Sequence, residues 1–262
     1  MISSTSRAVE IVQITDAHLG ASEDFMLKGI NTAETLSHVL AAVSQTPYDW
    51  LIATGDISDD FSHASYALFL RMLDHHGISS LICLSGNHDD PAVMQQILQP
   101  VALPTIFFDG NWLFICLNTT LANSDEGEVT ETDLARLNTL LAQHAQQHVA
   151  IFMHHHVVPV QSRWIDAYRL RNHSSFMEHL ARYNNVRAVI SGHVHQTTIS
   201  QRNGVTFYTS PATSLQFVPG CHRPKISTVT ASWRKWTFWP DGRVSDQLFS
   251  PKKKVMSADE KI

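Results

Sequence analysis

Apolar residues follow two textures along this chain, and each predicts a kind of element. Val9 to Thr15 (VEIVQIT) is a short, nearly continuous apolar run, the pattern of a buried strand. Asn31 to Ser44 then sets Leu36, Val39, Leu40 and Val43 at helical spacing, so a strand and a helix open an α/β layer. Trp50 to Thr54 repeats the apolar run and ends at Gly55, Ser65 to His75 is amphipathic, and Ser80 to Leu84 is a third run closed by Ser85 and Gly86. Trp112 to Leu117 and His148 to Met153 read as strands on either side of a helix over Glu131 to Gln146. Thr130 is placed to cap that helix, with Asp133 three residues on. A helix over Ser174 to Tyr183 leads into one more run, Val186 to Ile190. From Thr197 the period becomes 2. Thr198 to Arg202, Val205 to Thr209, Ile226 to Thr230, Trp233 to Trp239 and Arg243 to Phe249 lie between Gly and Pro and predict an antiparallel meander.

A βα-repeating first part and a β-rich last part are reconciled by two mixed sheets that face each other under helices, because each sheet needs both faces covered. The expected class is α/β (α+β), a four-layer αββα sandwich. No linker, repeat or low-complexity tract divides residues 1–249, expected as one domain, while the charged stretch 250–262 (SPKKKVMSADEKI) reads as a frayed tail. The 262 residues are 44% hydrophobic and 16% charged, enough to bury the core of one large domain. A net charge of −5 implies no basic surface for long nucleic acid, and the tail lysines do not alter that. No apolar run approaches the roughly 18 residues of a membrane span, and no signal-type core is present, so a cytoplasmic protein without a membrane partner is expected. Cys83, Cys116 and Cys221 are odd in number and lack CxxC spacing, so they read as small buried side chains.

The 16 histidines exceed the ordinary share of that residue, and their placement carries the chemistry. Five polar motifs each follow a predicted strand: Asp16 and His18 (DAH), Gly55 and Asp56 (GD), Gly86 to Asp89 (GNHD), His154 to His156 (HHH), and Gly192 to His195 (GHVH). Loops at the carboxyl ends of strands in an open α/β sheet converge on one crevice, so these motifs are expected to meet there. Carboxylate, imidazole and amide donors without a thiolate describe a site for hard to borderline divalent ions. Glycine before Asp56, Asn87 and His193 lets the backbone come close to them.

The order DxH, GD, GNHD, H and GHxH resembles the calcineurin-like metallophosphoesterase superfamily over residues 9 to 210. HHHVVP, SRWID and LRN between His154 and Asn172, with SPATSLQF and SWR downstream, resemble more narrowly the bacterial class III cyclic nucleotide phosphodiesterases of the CpdA group, out to about Trp239. The resemblance implies the metallophosphoesterase fold, two divalent metal ions, and a phosphodiesterase that opens 3',5'-cyclic AMP to 5'-AMP. Position by position, it implies that Asp16, His18 and His195 hold one ion, that Asn87, His154 and His193 hold the second, and that Asp56 bridges them. A shared carboxylate offsets the repulsion of ions roughly 3.5 to 4 Å apart, and such a pair generates a bridging hydroxide that attacks phosphorus in line. Asp56 and His88 then carry the catalysis, His88 contacting the phosphate and protonating the leaving oxygen, and His18, Asp56, Asn87, His88 and His195 face the substrate. Asp89 reads as an acceptor that orients an imidazole. Iron or manganese lead as the metals, and zinc or magnesium suit the same donors.

Of the three consecutive histidines, only His154 receives a metal role, while His155 and His156 are expected behind it or in the pocket wall. The histidines outside the motifs are expected at the surface or in packing, and Trp233, Trp236 and Trp239 in sheet packing. LRN and SPATSLQF are expected to shape a nucleotide pocket. The same centre would also suit a glycerophosphodiester or a 2',3'-cyclic nucleotide, because loops set the substrate in such folds. A non-catalytic metal-binding scaffold would be expected to lose motif residues, and this chain keeps all seven ligands and His88. The expected partner is a small cyclic nucleotide. A homodimer is compatible with the resemblance, though no apolar stripe marks it.

Overall fold

The computed structural model describes residues 7–98 and 106–251; the tail expected from Ser250 lies outside the described residues from Lys252 onward. The chain opens with β1 (Val9–Ile14), a short hairpin of β2 (Met26–Leu27) and β3 (Ile30–Asn31), and helix α1 (Thr32–Val43). Next come β4 (Trp50–Thr54), α2 (His63–His75), β5 (Ile82–Leu84) and α3 (Pro91–Ile97). The second half holds β6 (Ile106–Asp109), β7 (Trp112–Cys116), α4 (Glu131–Gln143), β8 (His148–Met153), α5 (Arg163–Asp166), α6 (His173–Leu180) and β9 (Val186–Ser191). Two hairpins follow, β10 (Thr198–Arg202) with β11 (Val205–Thr209), and β12 (Trp233–Phe238) with β13 (Val244–Phe249).

Helix starts are dictated locally. Thr130 accepts from the Asp133 amide and donates to its carboxylate at 2.7 Å, which satisfies one orphan donor of α4 as the spacing predicts. Asn31, Ser62 and Asp90 cap α1, α2 and α3 in the same way, and Pro91 stands in the first turn of α3, where its missing N–H costs nothing.

The strands form a five-stranded sheet, β13-β12-β1-β4-β5, and a six-stranded sheet, β10-β11-β9-β8-β7-β6. Both are mixed. β1, β4 and β5 run parallel, as do β7, β8, β9 and β11, while the outer hairpins are antiparallel. Alternation along β1 shows how the layers are made: Val9 and Ile11 enter the core between the sheets, whereas Val12 and Ile14 turn toward α1 and α2. Phe114, Phe152, Trp236 and Phe238 fill that central core, and a third apolar seam joins the second sheet to α4 and α6. Three seams between four layers give the expected αββα sandwich.

The β-rich last part is not a meander. Each hairpin closes through its own turn chemistry, Asn203-Gly204 with both residues at positive φ for the first and Gly242 at φ 88° for the second. Yet β11 joins β9 in one sheet and β12 joins β1 in the other, so the segment between them crosses the molecule. Ile226 to Thr230 lies in that crossing and contributes only an isolated bridge from Ile226 to Phe217. Period-2 alternation signals a half-buried surface and does not name the partner strand. Trp233 and Trp236 are buried as expected, but Trp239 is 37% exposed beyond the end of β12 and carries Arg243 on its ring face. Cys83 and Cys116 are buried, whereas Cys221 is only partly so. No helix among the described residues is long and apolar enough to cross a membrane.

Candidate metal centre

The carboxyl ends of β1, β4, β5, β8 and β9 deliver the five motifs to one place. The turn needed for this is severe: Asp16, His18, Asp56, His193 and His195 all have positive φ, between 47° and 68°. Non-glycine residues adopt that region at a cost of order 1–3 kcal/mol each, and such strain collects where a site must be preorganised. Gly55 precedes Asp56 at φ 99°, and a Cβ there would stand 2.5 Å from His154 Nδ1 and 2.7 Å from the Gly86 amide nitrogen. At Gly86 a Cβ would collide with the Asp56 carboxylate. Both glycines are therefore required by close approach.

Asp16 and Asp56 are fully buried, and imidazoles surround them. His18 Nε2 lies 3.2 Å from His195 Nε2 and 3.5 Å from Asp56 Oδ2, and His195 Nε2 lies 3.4 Å from Asp16 Oδ1. On the other side, His154 Nε2 is 3.4 Å from Asp56 Oδ1 and 3.1 Å from Asn87 Oδ1. The ring of His193 sits 5.0 Å from that of His154, with its Nε2 buried and unpartnered. Asp56 thus turns one oxygen toward each group of donors. All seven residues read as ligands are brought together.

The opposite edges of these rings are tied down. His154 Nδ1 donates to the Thr54 carbonyl at 2.8 Å, His195 Nδ1 to the Leu215 carbonyl at 2.7 Å, and His18 Nδ1 to Asp59 Oδ1 at 3.0 Å. A proton held on Nδ1 leaves the Nε2 lone pair facing inward, the tautomer a metal ligand needs. Backbone amides add to the order, with the His193 N–H donating to Asp16 at 3.1 Å and the His88 N–H to Asp56 at 2.9 Å. Inward-facing imidazole nitrogens, two carboxylates and an orphaned buried nitrogen are a donor set that fits divalent cations.

Carboxylates and imidazoles in this cluster shift one another strongly. Burial works against an ionised Asp56, but His154 and His18 outweigh it and hold the carboxyl well below its ordinary range. Burial, reinforced by His155, His154 and His156, depresses His193 well below the usual imidazole value. For His154, burial is outweighed by Asp56, which raises the imidazole to about 9, so a proton on Nε2 pairs with Asp56 and a bound cation would have to displace it.

Asp59 was missed by motif reading. It stands three residues after Asp56 and holds His18, with His88 Nδ1 3.7 Å from the same carboxylate oxygen. Asp89, expected to orient an imidazole, instead accepts from the Gly86, Ile57 and Ser58 amides and the Tyr66 hydroxyl at 2.9 to 3.1 Å. It pins the GD loop to the GNHD loop, and burial together with the charge of Asp56 pushes its carboxyl up to about 6. His155 and His156 are buried behind His193: His155 Nδ1 pairs with the Thr119 hydroxyl at 2.8 Å and His156 Nε2 with Asp166 at 3.3 Å. His88 is 40% exposed in its side chain and faces a cavity of about 320 Å³. His18, Asp56, Asn87, His193 and His195 form the floor of that cavity. Grooves of about 630 and 620 Å³ lie elsewhere, yet neither gathers this donor set. Leu215 and Phe217 of SPATSLQF line the cavity, but LRN does not: Leu170 is core, Arg171 pairs with Glu128, and Asn172 clamps the backbone of Val129.

The model of the calcineurin-like phosphoesterase family matches residues 9–197, which spans all five motifs. The chain belongs to that family. Its relatives there include the 3',5'-cyclic adenosine monophosphate phosphodiesterase CpdA of Escherichia coli K12, 32% identical over 259 residues that cover 93% of this chain and 92% of the relative. A 3',5'-cyclic-nucleotide phosphodiesterase of Nostoc is 36% identical, with 89% of each chain covered. Among solved structures, a dimetal phosphatase from Danio rerio superposes with a TM-score of 0.67 at 17% identity, covering 94% of this chain and 99% of the other. At that identity the match speaks for the shared fold.

Proposed function

We propose that this phosphoesterase is a dimetal phosphodiesterase that hydrolyses 3',5'-cyclic AMP to 5'-AMP. The observation that carries the reading is Asp56, buried with one oxygen 3.5 Å from His18 Nε2 and the other 3.4 Å from His154 Nε2. In this reading Asp16, His18 and His195 hold one divalent ion, Asn87, His154 and His193 the other, and Asp56 bridges, with iron or manganese first among the candidates. Such a pair, when bound, activates water at neutral pH and neutralises charge developing on the phosphoryl oxygens. The protein's own share is positional: Asp59, Thr54 and Leu215 fix the three rings, and the αL turns keep them from relaxing apart. His88, on the open side of the floor, contacts the phosphate and gives its proton to O3' as the P–O3' bond breaks, a role that suits an imidazole. The oxygen of water joins phosphorus, and the 5' ester is left intact. The names of the relatives support the cyclic nucleotide as substrate.

The test is turnover by metal-reconstituted protein on cAMP, cGMP, 2',3'-cAMP, a glycerophosphodiester and bis(p-nitrophenyl) phosphate, beside Asp56→Ala and Asn87→Ala. Hydrolysis of cAMP that both variants abolish is expected. Hydrolysis of the synthetic diester without cAMP moves the substrate to another small phosphodiester, and no turnover with any metal sinks the enzyme reading.

A further inference from the structure

One side of the cavity has no part in holding ions. Above the polar floor stand Trp164 and Ile165 from α5, Tyr168 just after it, and Leu215 and Phe217 from the crossing segment. Trp164 and Phe217 meet edge to face, with ring centroids 4.8 Å apart at 75°. The Phe217 ring in turn lies 5.0 Å from that of His195. The indole Nε1 has no hydrogen-bond partner, so packing against Val160, Ile165 and Val194 places this ring rather than a polar anchor. Tyr168 is 39% exposed at the opening.

Backbone geometry couples this wall to the floor. The Leu215 carbonyl accepts from His195 Nδ1 at 2.7 Å, and the Phe217 amide donates to the His195 carbonyl at 3.3 Å. One short segment therefore sets both the tautomer of a floor imidazole and the place of an aromatic face beside it. A phosphodiester held on the floor would bring its substituent within reach of this wall. Flat aromatic surface with few hydrogen-bonding groups suits the π-face of a heterocyclic base and reads its edges poorly.

The geometry points to Trp164 and Phe217 as the specificity-determining wall for the base: they stack the purine of a 3',5'-cyclic nucleotide and select by ring area rather than by exocyclic groups. This rests on the cyclic-nucleotide reading above. Two consequences separate it from a merely structural role. cAMP and cGMP are expected to have kcat/KM values within a few-fold of each other, with the smaller pyrimidine of 3',5'-cyclic CMP weaker. Loss of the indole is expected to act on KM, because stacking binds the ground state and the transition state alike.

The experiment measures kcat and KM on metal-loaded full-length protein for cAMP and for an abasic analogue, methyl ribofuranoside 3',5'-cyclic phosphate. Wild type is compared with Trp164→Ala, Trp164→Phe and Phe217→Leu, with metal content checked in each. The expected result for Trp164→Ala is a KM for cAMP raised about 10- to 100-fold, from one lost stacking face. The ratio of kcat/KM for cAMP to that for the abasic ester falls by a similar factor, and Trp164→Phe recovers most of it. Equal losses on both esters, or none on either, overturn the wall. A wild-type protein that cleaves the abasic ester but never cAMP overturns the cyclic-nucleotide reading itself, and the wall with it.

Discussion

The floor and the wall of the cavity are built by opposite means. The donors on the floor hang within a few residues of strand ends; Asp16, His18, Asp56, His193 and His195 are bent into a strained conformation, and His18, His154 and His195 are wired through their far edges to a carbonyl or carboxylate. The wall comes from a four-residue helix and a crossing segment, and its Trp164 is placed by apolar contact alone. Hydrogen bonds with directional preference hold atoms to fractions of an ångström, whereas packing tolerates exchange of one shape for another. The comparison teaches that the reaction and the choice of substrate are physically separable here, the first invested in the floor and the second in the wall.

Breaking the floor at its shared group should have the largest effect. Asp56→Ala removes the one carboxylate that faces both donor sets, and is expected to lower turnover by about a thousandfold or more, several kcal/mol of charge stabilisation, with bound metal reduced in step. Elemental analysis and kcat on the same sample check it; full metal content at full rate would show that Asp56 bridges nothing. Gly55→Ala attacks the floor through the backbone. A Cβ at φ 99°, against His154 and Gly86, adds strain of about 1–3 kcal/mol, so Tm should fall by about 2–10 °C in a calorimeter. An unchanged Tm would mean that this loop relaxes freely.

Asp59→Asn tests whether a residue outside the motifs belongs to the floor. Its carboxylate fixes His18 at 3.0 Å, and loss of such a partner behind a ligand is expected to weaken metal binding about 10- to 100-fold in competition with a chelator. Wild-type affinity in this variant would confine the floor to the motif residues.

How much was legible in the sequence follows the same division. The four layers, the helix capped at Thr130 and the convergence of the seven polar floor residues could be read, because each depends on local pattern: apolar periodicity, a cap three residues from its partner, a polar motif after a strand. Asp59 escaped because its partner, His18, lies 41 residues away on another loop. Asp89 was assigned to an imidazole because spacing alone cannot tell that four donors from its own loop, the GD loop and α2 already surround it. The last two hairpins were legible as hairpins from Asn203-Gly204 and Gly242, but their separation into different sheets is a tertiary choice that leaves no mark in period 2. The wall fell between these cases. SPATSLQF reaches the cavity, as expected, through Leu215 and Phe217, while LRN is spent on structure and the aromatic contribution comes instead from Trp164 in the preceding SRWID stretch.

The smallest predicted effect sharpens where the wall stops. Arg171 in LRN is half exposed and pairs with Glu128 at 2.7 Å, on the 128–129 segment that Asn172 also holds. An exposed pair of this kind contributes at most about 1 kcal/mol, because water and salt screen it and ordering two long side chains offsets part of the gain. Arg171→Ala should therefore shift the urea midpoint only slightly and leave the KM for cAMP within about twofold of wild type, since no atom of Arg171 borders the cavity. A KM raised as far as in Trp164→Ala would place the phosphate or ribose against LRN after all. The nucleotide would then be held by charge at LRN as well as by stacking, and the clean partition between a polar floor and an apolar wall would fail.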